Sequence, residues 1–532
     1  MARKKNVTTN EFNQVIEGTS LTKEAWKRLK KNKMAVFGMV VVIIYALVAA
    51  FANLLPLYPY DEIVTDHQHL KPSLTKTSGE LLLEKKYKDV FTSAWKGGRL
   101  VLSDEENENV TDWVMNDNTN KAWNLLYDRG MGALENGTLT LSASEQKQID
   151  KTKDKIESDI MVTIKKLYGN INGEKVNLSK ATTDQLYHVY ANISGADIQK
   201  LQETVDKELL ASIKNSIKSS DSDGALSQED IDSAALVQFE NYSNKEYDSL
   251  VKANLYGKIS AQANKTALKQ IKADIKAGKE MQFPIDSELE LGNGISADLE
   301  VSKTNERRYI FGTDYLGRDL LSRIIYGGRV SIAIGLIGTI TSILIGICVG
   351  SIAGYVGGKV DYYLMRFVDV MYGLPYMLLV IIFMAIWGRK ISNLFLALSL
   401  ISWLTIARMV RGQIMSLKNQ EYVEAARSMG ASTFRIIAKH MIPNSLSIII
   451  VYSTIRIPNF IMQESFLSFL GLGVQAPYAS WGSLIGDAVN SMTLYPWKLI
   501  FPSITMVLFL FSMNFFGDGL RDAFDPQSKN QL

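Results

Sequence analysis

Disulfides, metal paths and phosphate chemistry are nearly closed to this chain by what it lacks. Of its 532 residues one is cysteine and four are histidine. A lone Cys348 excludes any disulfide within the chain, so every part must hold together by its own core. Cys348 lies in an apolar run and is expected to be a small core residue. His67, His69, His188 and His440 are too few and too scattered to build a metal path. No G-x-x-x-x-G-K-[ST] stretch occurs, so the chain itself is not expected to bind or hydrolyse ATP. No nucleophile–base pair or ligand cluster stands out, which argues against an enzyme, a resident metal or a cofactor. No nucleic-acid partner is expected.

The formal charge of +3 hides two unlike parts. Residues 61–305 carry 30 basic and 40 acidic side chains, whereas the remainder carries 28 basic and 15 acidic. An acidic, soluble block is therefore set inside a basic, apolar frame. A helix crosses the hydrocarbon with about 20 mostly apolar residues. Six segments of the frame meet that: 34–57, 330–355, 364–387, 391–407, 446–470 and 499–516. The first is too long, and starts too late, for a cleaved leader. Nine Lys and Arg precede it, and six more lie between Arg408 and Lys439. Excess positive charge stays inside, so both termini are expected in the cytoplasm and residues 61–305 outside the cell.

The basic loop after the fourth span holds the most informative stretch, residues 421–443, EYVEAARSMGASTFRIIAKHMIP. Helical spacing puts Tyr422, Ala425, Ala426 and Met429 on one face, where small alanines allow a partner to approach closely. Gly430 suits a left-handed turn and Ser432 a helix cap. Phe434, Ile437 and Met441 then share a stripe, and Pro443 is expected to stop the helix at the membrane surface. A rigid helix–turn–helix under the bilayer suits transmission of a partner's movement into the spans.

Ionisable residues within spans default to paired or functional roles. Arg366 and Asp369, three residues apart, read as a mutual ion pair. Glu464 reads equally as an anchor to a neighbouring helix or as a contact for cargo. Arg456, two residues before Pro458 in mid-span, reads as facing a translocation cavity or as pairing with an acid of a partner chain.

Several of these stretches resemble one family. Glu424-Ala425-Ala426, Gly430 and Pro443 resemble the EAA motif of ABC importer permeases, with His440-Met441-Ile442-Pro443 in place of the usual Ile-x-Leu-Pro ending. Residues 26–42 (WKRLKKNKMAVFGMVVV), 311–331 (FGTDYLGRDLLSRIIYGGRVS), 361–375 (DYYLMRFVDVMYGLP), 464–473 (ESFLSFLGLG) and 517–526 (GDGLRDAFDP) are similar to C-type subunits of dipeptide and oligopeptide importers, DppC and OppC. The resemblance covers roughly residues 20–60 and 306–526. It implies an all-α polytopic protein with six transmembrane helices of the type I importer fold, forming half of a pore. It further implies a homologous B-type permease as heterodimer partner, two ATPase subunits that bind ATP and Mg, and an extracellular peptide-binding lipoprotein. Glu424, Ala425, Ala426 and Gly430 would dock the ATPase. Peptide is the cargo implied, with nickel or haem as alternatives within the class. A membrane-anchored receptor, adhesion or signalling module is the alternative outside it.

The block at 61–305 falls outside the resemblance and reads as a mainly helical domain, α or α+β, placed between the first two spans. Ile198, Leu201, Val205, Leu209, Ile213 and Ile217 mark one helix, capped at Ser194; Ile149, Ile156, Ile160, Ile164 and Leu167 mark another. Trp95, Trp113 and Trp123 are candidates to seed a separate core. Strands are expected near 80–102 and 284–301. Residues 219–230, SSDSDGALSQED, faintly resemble a calcium loop through Asp221, Asp223 and Asp230, although a solvated turn capped by Ser227 explains the same residues better. A docking platform, a lid over the pore and an independent adhesion module all remain open for the block.

Overall fold

The computed structural model describes residues 21–116, 119–220 and 226–524. In chain order the first elements are α1 (Leu21–Lys31), α2 (Lys33–Ala50), α3 (Ser78–Lys96), α4 (Asp104–Met115), α5 (Thr119–Glu135) and α6 (Ala143–Glu157). Strands β1 (Met161–Ile171) and β2 (Glu174–Asn177) precede α7 (Thr183–Ser194), α8 (Ile198–Ser220), α9 (Gln228–Glu240) and α10 (Asn244–Lys276). After β3 (Ile285–Gly292) and β4 (Ile295–Ser302) come α11 (Leu320–Val356), α12 (Gly358–Gly373), α13 (Tyr376–Trp387) and α14 (Ile391–Leu417). The last are α15 (Glu421–Ser428), α16 (Thr433–Ile436), α17 (Ile442–Phe469), α18 (Trp481–Val489) and α19 (Trp497–Phe524).

The chain forms two compact units, one from Met1–Thr77, Glu84–Thr140 and Arg308–Leu532, the other from Ser78–Leu83 and Leu141–Arg307. The acidic block is thus not a single body, because α4 and α5 belong with the apolar helices.

In the first unit α2, α11, α14 and α19 are each long and apolar enough to cross a membrane. Two bent pairs pass the same test together, α12 with α13 (85°) and Thr433–Leu446 with Ile448–Phe469 (62°), giving up to six spans. The expected continuous third span is broken at Leu374-Pro375. Proline disfavours helical backbone in the residue before it, and here Leu374 is extended at φ −89° and ψ 138°.

The most extensive helix pair is α11 against α14, and glycine makes it possible. A Cβ on Gly350 would lie 2.4 Å from the Ala407 carbonyl oxygen, and one on Gly354 2.8 Å from that of Arg411. With Gly346 these form the four-residue small-residue spacing that lets backbones touch in lipid. Packing takes up that face of α11 and leaves Cys348 on the other, where it is exposed rather than a core residue.

The 311–331 stretch explains itself locally. Gly317 turns at φ +76°, where a Cβ would sit 1.9 Å from the Val64 carbonyl oxygen. Asp314 accepts from Arg318 Nε (2.7 Å) and Arg323 Nη1 (2.6 Å), and Asp319 caps α11 by accepting from the Ser322 amide (2.9 Å).

The second unit is α+β. Its antiparallel sheet has the order β2-β1-β4-β3, with Leu167 opposite Ala297 and Val162 opposite Val301. Ile295, Ala297, Leu299 and Val301 alternate into the core. Leu186, Val205, Leu255 and Ile259 meet that sheet from α7, α8 and α10. Capping boxes at Ser142, Thr182, Ser227 and Ser243 start four of its helices.

Four expectations for the block are corrected. The helix read through Ile149 to Leu167 is α6 followed by β1, two elements whose apolar residues happen to continue one spacing. Residues 80–96 are helical, although strands do form at 285–302. Ser194 ends α7 at Gly195, and the Asp197 side chain instead accepts from the Gln199 amide at the start of α8. Trp95, Trp113 and Trp123 are each only half-buried; Phe91, Val110 and Leu126 are the buried residues there.

Candidate functional site

Helix α15 is held by half of its own sequence motif. Val423 and Ala426 are buried against Val410, Ile414 and Ile436 of the same chain, while Tyr422, Glu424 and Ala425 face out. The two alanines therefore split: Ala425 lies on the open surface and Ala426 seats the helix beneath the spans. Gly430 takes φ +80° with open space around it, as a left-handed turn requires. Met429 and Phe434 beside it are 81% and 82% exposed.

The second half departs from expectation in three ways. Ser432 occupies the cap position of α16 without a side-chain capping bond. A π turn at Ile437–Met441 advances the helical phase, so Phe434 stays outside while Met441 is fully buried. Pro443 does not stop a helix; it lies in the first turn of α17, where no amide donor is needed.

A second group of polar residues lies within the spans. On α17, Tyr452, Arg456, Asn459 and Gln463 recur at four, three and four residues, one face of a helix. On α12, Tyr362, Arg366, Asp369 and Tyr372 recur at four, three and three residues, and all four are exposed. Contacts tie each stripe to a neighbouring helix, α17 to α13 and α12 to α14. The Tyr376 hydroxyl donates to Gln463 Oε1 (2.7 Å), Tyr372 bonds Thr405 of α14, and the Arg408 guanidinium stacks 4.1 Å over the Tyr372 ring. Arg408 also holds Asp369 at 2.5 Å, whereas Arg366 reaches that carboxylate only at 4.0 Å. The expected Arg366–Asp369 pair is thus secondary to one between helices, which the sequence could not place. Asp361 is likewise taken by Arg411 (2.5 Å).

Arg456 is half-buried, and the titratable groups that act on it are the phenols of Tyr372 and Tyr376. Among the described residues no carboxylate pairs with it. Glu464, the other candidate, is fully buried away from this lane. It accepts from Ser468 (2.5 Å) and from Ser480 (2.6 Å), the residue that caps α18, so it ties the end of α17 to that helix.

Asp221 and Asp223 lie outside the described residues. Asp230 caps α9, accepting from the Ser227 amide (3.2 Å) and hydroxyl (2.6 Å). No group of three His, Cys, Asp or Glu placed for a metal occurs among the described residues.

Known proteins share much of this frame. Residues 346–530 match the family model for binding-protein-dependent transport system inner membrane components, and residues 20–72 that for the N-terminal TM domain of oligopeptide transport permease C. The oligopeptide transport system permease protein OppC of Haemophilus influenzae is 48% identical over 43% of this chain and 74% of its own. This chain belongs to the OppC/DppC permease family. The dipeptide transport system permease protein DppC of Bacillus subtilis is 46% identical over 41% of this chain and 68% of its own. Escherichia coli OppC is 46% identical over 42% and 74%. Neither family model extends over residues 73–345. The chain is accordingly a multi-pass membrane permease of the ABC importer class, with the mainly helical fold of the type I permeases.

Proposed function

We propose that this OppC/DppC-like chain forms half of the translocation pore of an ATP-driven importer of oligopeptides or dipeptides. The observation that carries this reading is the identity of 46–48% to oligopeptide and dipeptide permeases over 68–74% of their length. The chain crosses the plasma membrane six times with both termini in the cytoplasm, each bent pair counting as one span. Residues 61–305 lie outside the cell. Its partners are a homologous B-type permease, two ATPase subunits that bind ATP and Mg, and an extracellular peptide-binding lipoprotein.

Glu424, Ala425 and the turn at Gly430 present the surface on which an ATPase docks, with Met429 and Phe434 as its apolar contacts. Ala426 and Pro443 hold that surface to the spans. Arg456 lines the path of cargo, and Glu464 supports the wall beside it. The exposure of Met429 and Phe434 at a rigid turn supports this, because large apolar groups left outside a packed loop mark a partner surface.

Purification of the solubilised complex with identification of its subunits tests the assembly; absence of ATPase and second permease from a folded preparation overturns it. The paired change Met429→Glu and Phe434→Asp is expected to abolish peptide-stimulated ATP hydrolysis while the permease still folds and pairs. Unchanged stimulation removes the docking assignment.

A further inference from the structure

Three arginines and one aspartate carry the charge of the polar lane between α12, α14 and α17. Asp369 is already held by Arg408, and Arg366 lies at the edge of the same carboxylate. Asp361, the other acid of α12, is taken by Arg411. Glu464 is buried among serines and takes no part. Positive charge is therefore left over, and it is concentrated at Arg456.

An arginine in mid-span is costly unless water, a fixed anion or a passing anion meets it. Among the described residues no carboxylate pairs with it, and the titratable groups that act on it are the phenols of Tyr372 and Tyr376. Those two tyrosines flank the break at Leu374-Pro375, where α12 and α13 diverge by 85°. The broken helix and the proline-containing α17 thus bring Arg456, Tyr372, Tyr376, Asn459 and Gln463 to one polar stretch amid apolar surroundings. A guanidinium presents a planar fork of donors that matches a carboxylate, with neutral hydroxyl and amide groups to take the remaining lone pairs.

We propose that this stretch is a carboxylate-recognising station on the import path, with Arg456 as the residue that selects cargo bearing a free C-terminal carboxylate. The assignment rests on the reading of the chain as a peptide permease. Lone lysine or arginine near the cytoplasmic end, such as Arg366, does not serve the same purpose, because it is widely exposed and shares Asp369.

The test uses the complete importer in proteoliposomes, loaded with the same peptide-binding protein in every arm. Uptake is measured for one tripeptide and for its C-terminal amide. Because the binding protein is common to all arms, a change in the acid-to-amide ratio between variants belongs to the permease. Arg456→Gln is expected to lower uptake of the free acid about tenfold and leave the amide within about twofold, as loss of one charge-assisted contact requires. Arg456→Lys is expected to recover part of the preference. An equal fall for acid and amide overturns the proposal in favour of an ion pair with the partner permease, and an unchanged ratio with unchanged uptake overturns it outright. If the wild-type complex hydrolyses ATP yet imports neither peptide, the peptide reading itself fails, and this inference with it.

Discussion

The helices of the permease and the α+β unit at residues 141–307 solve the problem of packing by opposite means. In the α+β unit apolar side chains fill the interior: Leu255 and Ile259 of α10 are fully buried beneath the sheet. In the permease the closest helix approaches are made by glycine against backbone, beside smaller buried clusters such as Trp481 with Phe509, while many large apolar side chains such as Leu344, Leu508 and Phe511 point outward. Water drives the first arrangement, since it removes apolar area from solvent. Lipid offers no such drive between helices, so close van der Waals approach replaces it. One chain therefore obeys two sets of rules, and the same substitution carries opposite consequences in each.

Forcing side chains into the glycine seam should give the largest effect. Gly350→Leu is expected to abolish assembly of a functional complex, because its first carbon already meets the Ala407 carbonyl. Size-exclusion of the solubilised protein and peptide uptake both read this; normal assembly would show that the α11–α14 seam is not close-packed. Next come paired leucine truncations. Leu255→Ala should cost about 2–5 kcal/mol through a cavity, whereas Leu508→Ala, half exposed on α19, should stay within about 0.5 kcal/mol in a bilayer. Equal losses on thermal melting would erase the contrast.

Smaller still is Ser227→Ala, which should cost about 1 kcal/mol by opening the capping box of α9. Millimolar calcium should leave its melting, and that of the wild type, unshifted if Asp230 is a cap rather than a ligand. The smallest effect concerns a loop of the permease unit that follows soluble rules. His69 stacks on Tyr495 with centroids 4.2 Å apart, and its Nδ1 lies 3.1 Å from Lys498 Nζ. Burial, then the charges of Lys498 and Lys85, push its pKa from 6.5 down to about 4. The native loop thus keeps His69 neutral where an unfolded chain would protonate it, so stability falls as pH drops from about 6.5 and the loss is complete below about 4. Melting in nanodiscs should decline over that window less steeply for His69→Gln; parallel curves would dismiss the effect.

Much of the coupling loop was legible because its signals are local. Gly430 needs a positive φ whatever surrounds it, and the helix at residues 421–428 follows from nearby residues alone. Which alanine faces the spans was not legible, since Ala425 and Ala426 are chemically alike and only the position of Val410 and Ile414 separates them. The π turn that sends Met441 inward leaves no mark in the spacing. In the lane, the four-three-four recurrence from Tyr452 to Gln463 is a signal that the sequence carries. Its partners on α12 and α14 could not be read at all. The G-x-x-x-G spacing of Gly346, Gly350 and Gly354 is likewise written in the sequence.

The sequence by itself determined the apolar spans, the segregation of an acidic block from a basic frame, and the motifs that mark an importer permease. These rest on composition and on contacts within a few residues, which no distant partner can alter. Only the tertiary structure decided that Asp369 belongs to Arg408, that Glu464 ties α17 to α18, that Cys348 faces outward, and that α4 and α5 leave the acidic block for the permease. Each depends on which helix lies beside which. That is fixed by backbone approach and helix breaks across long sequence separations, where periodicity carries no information.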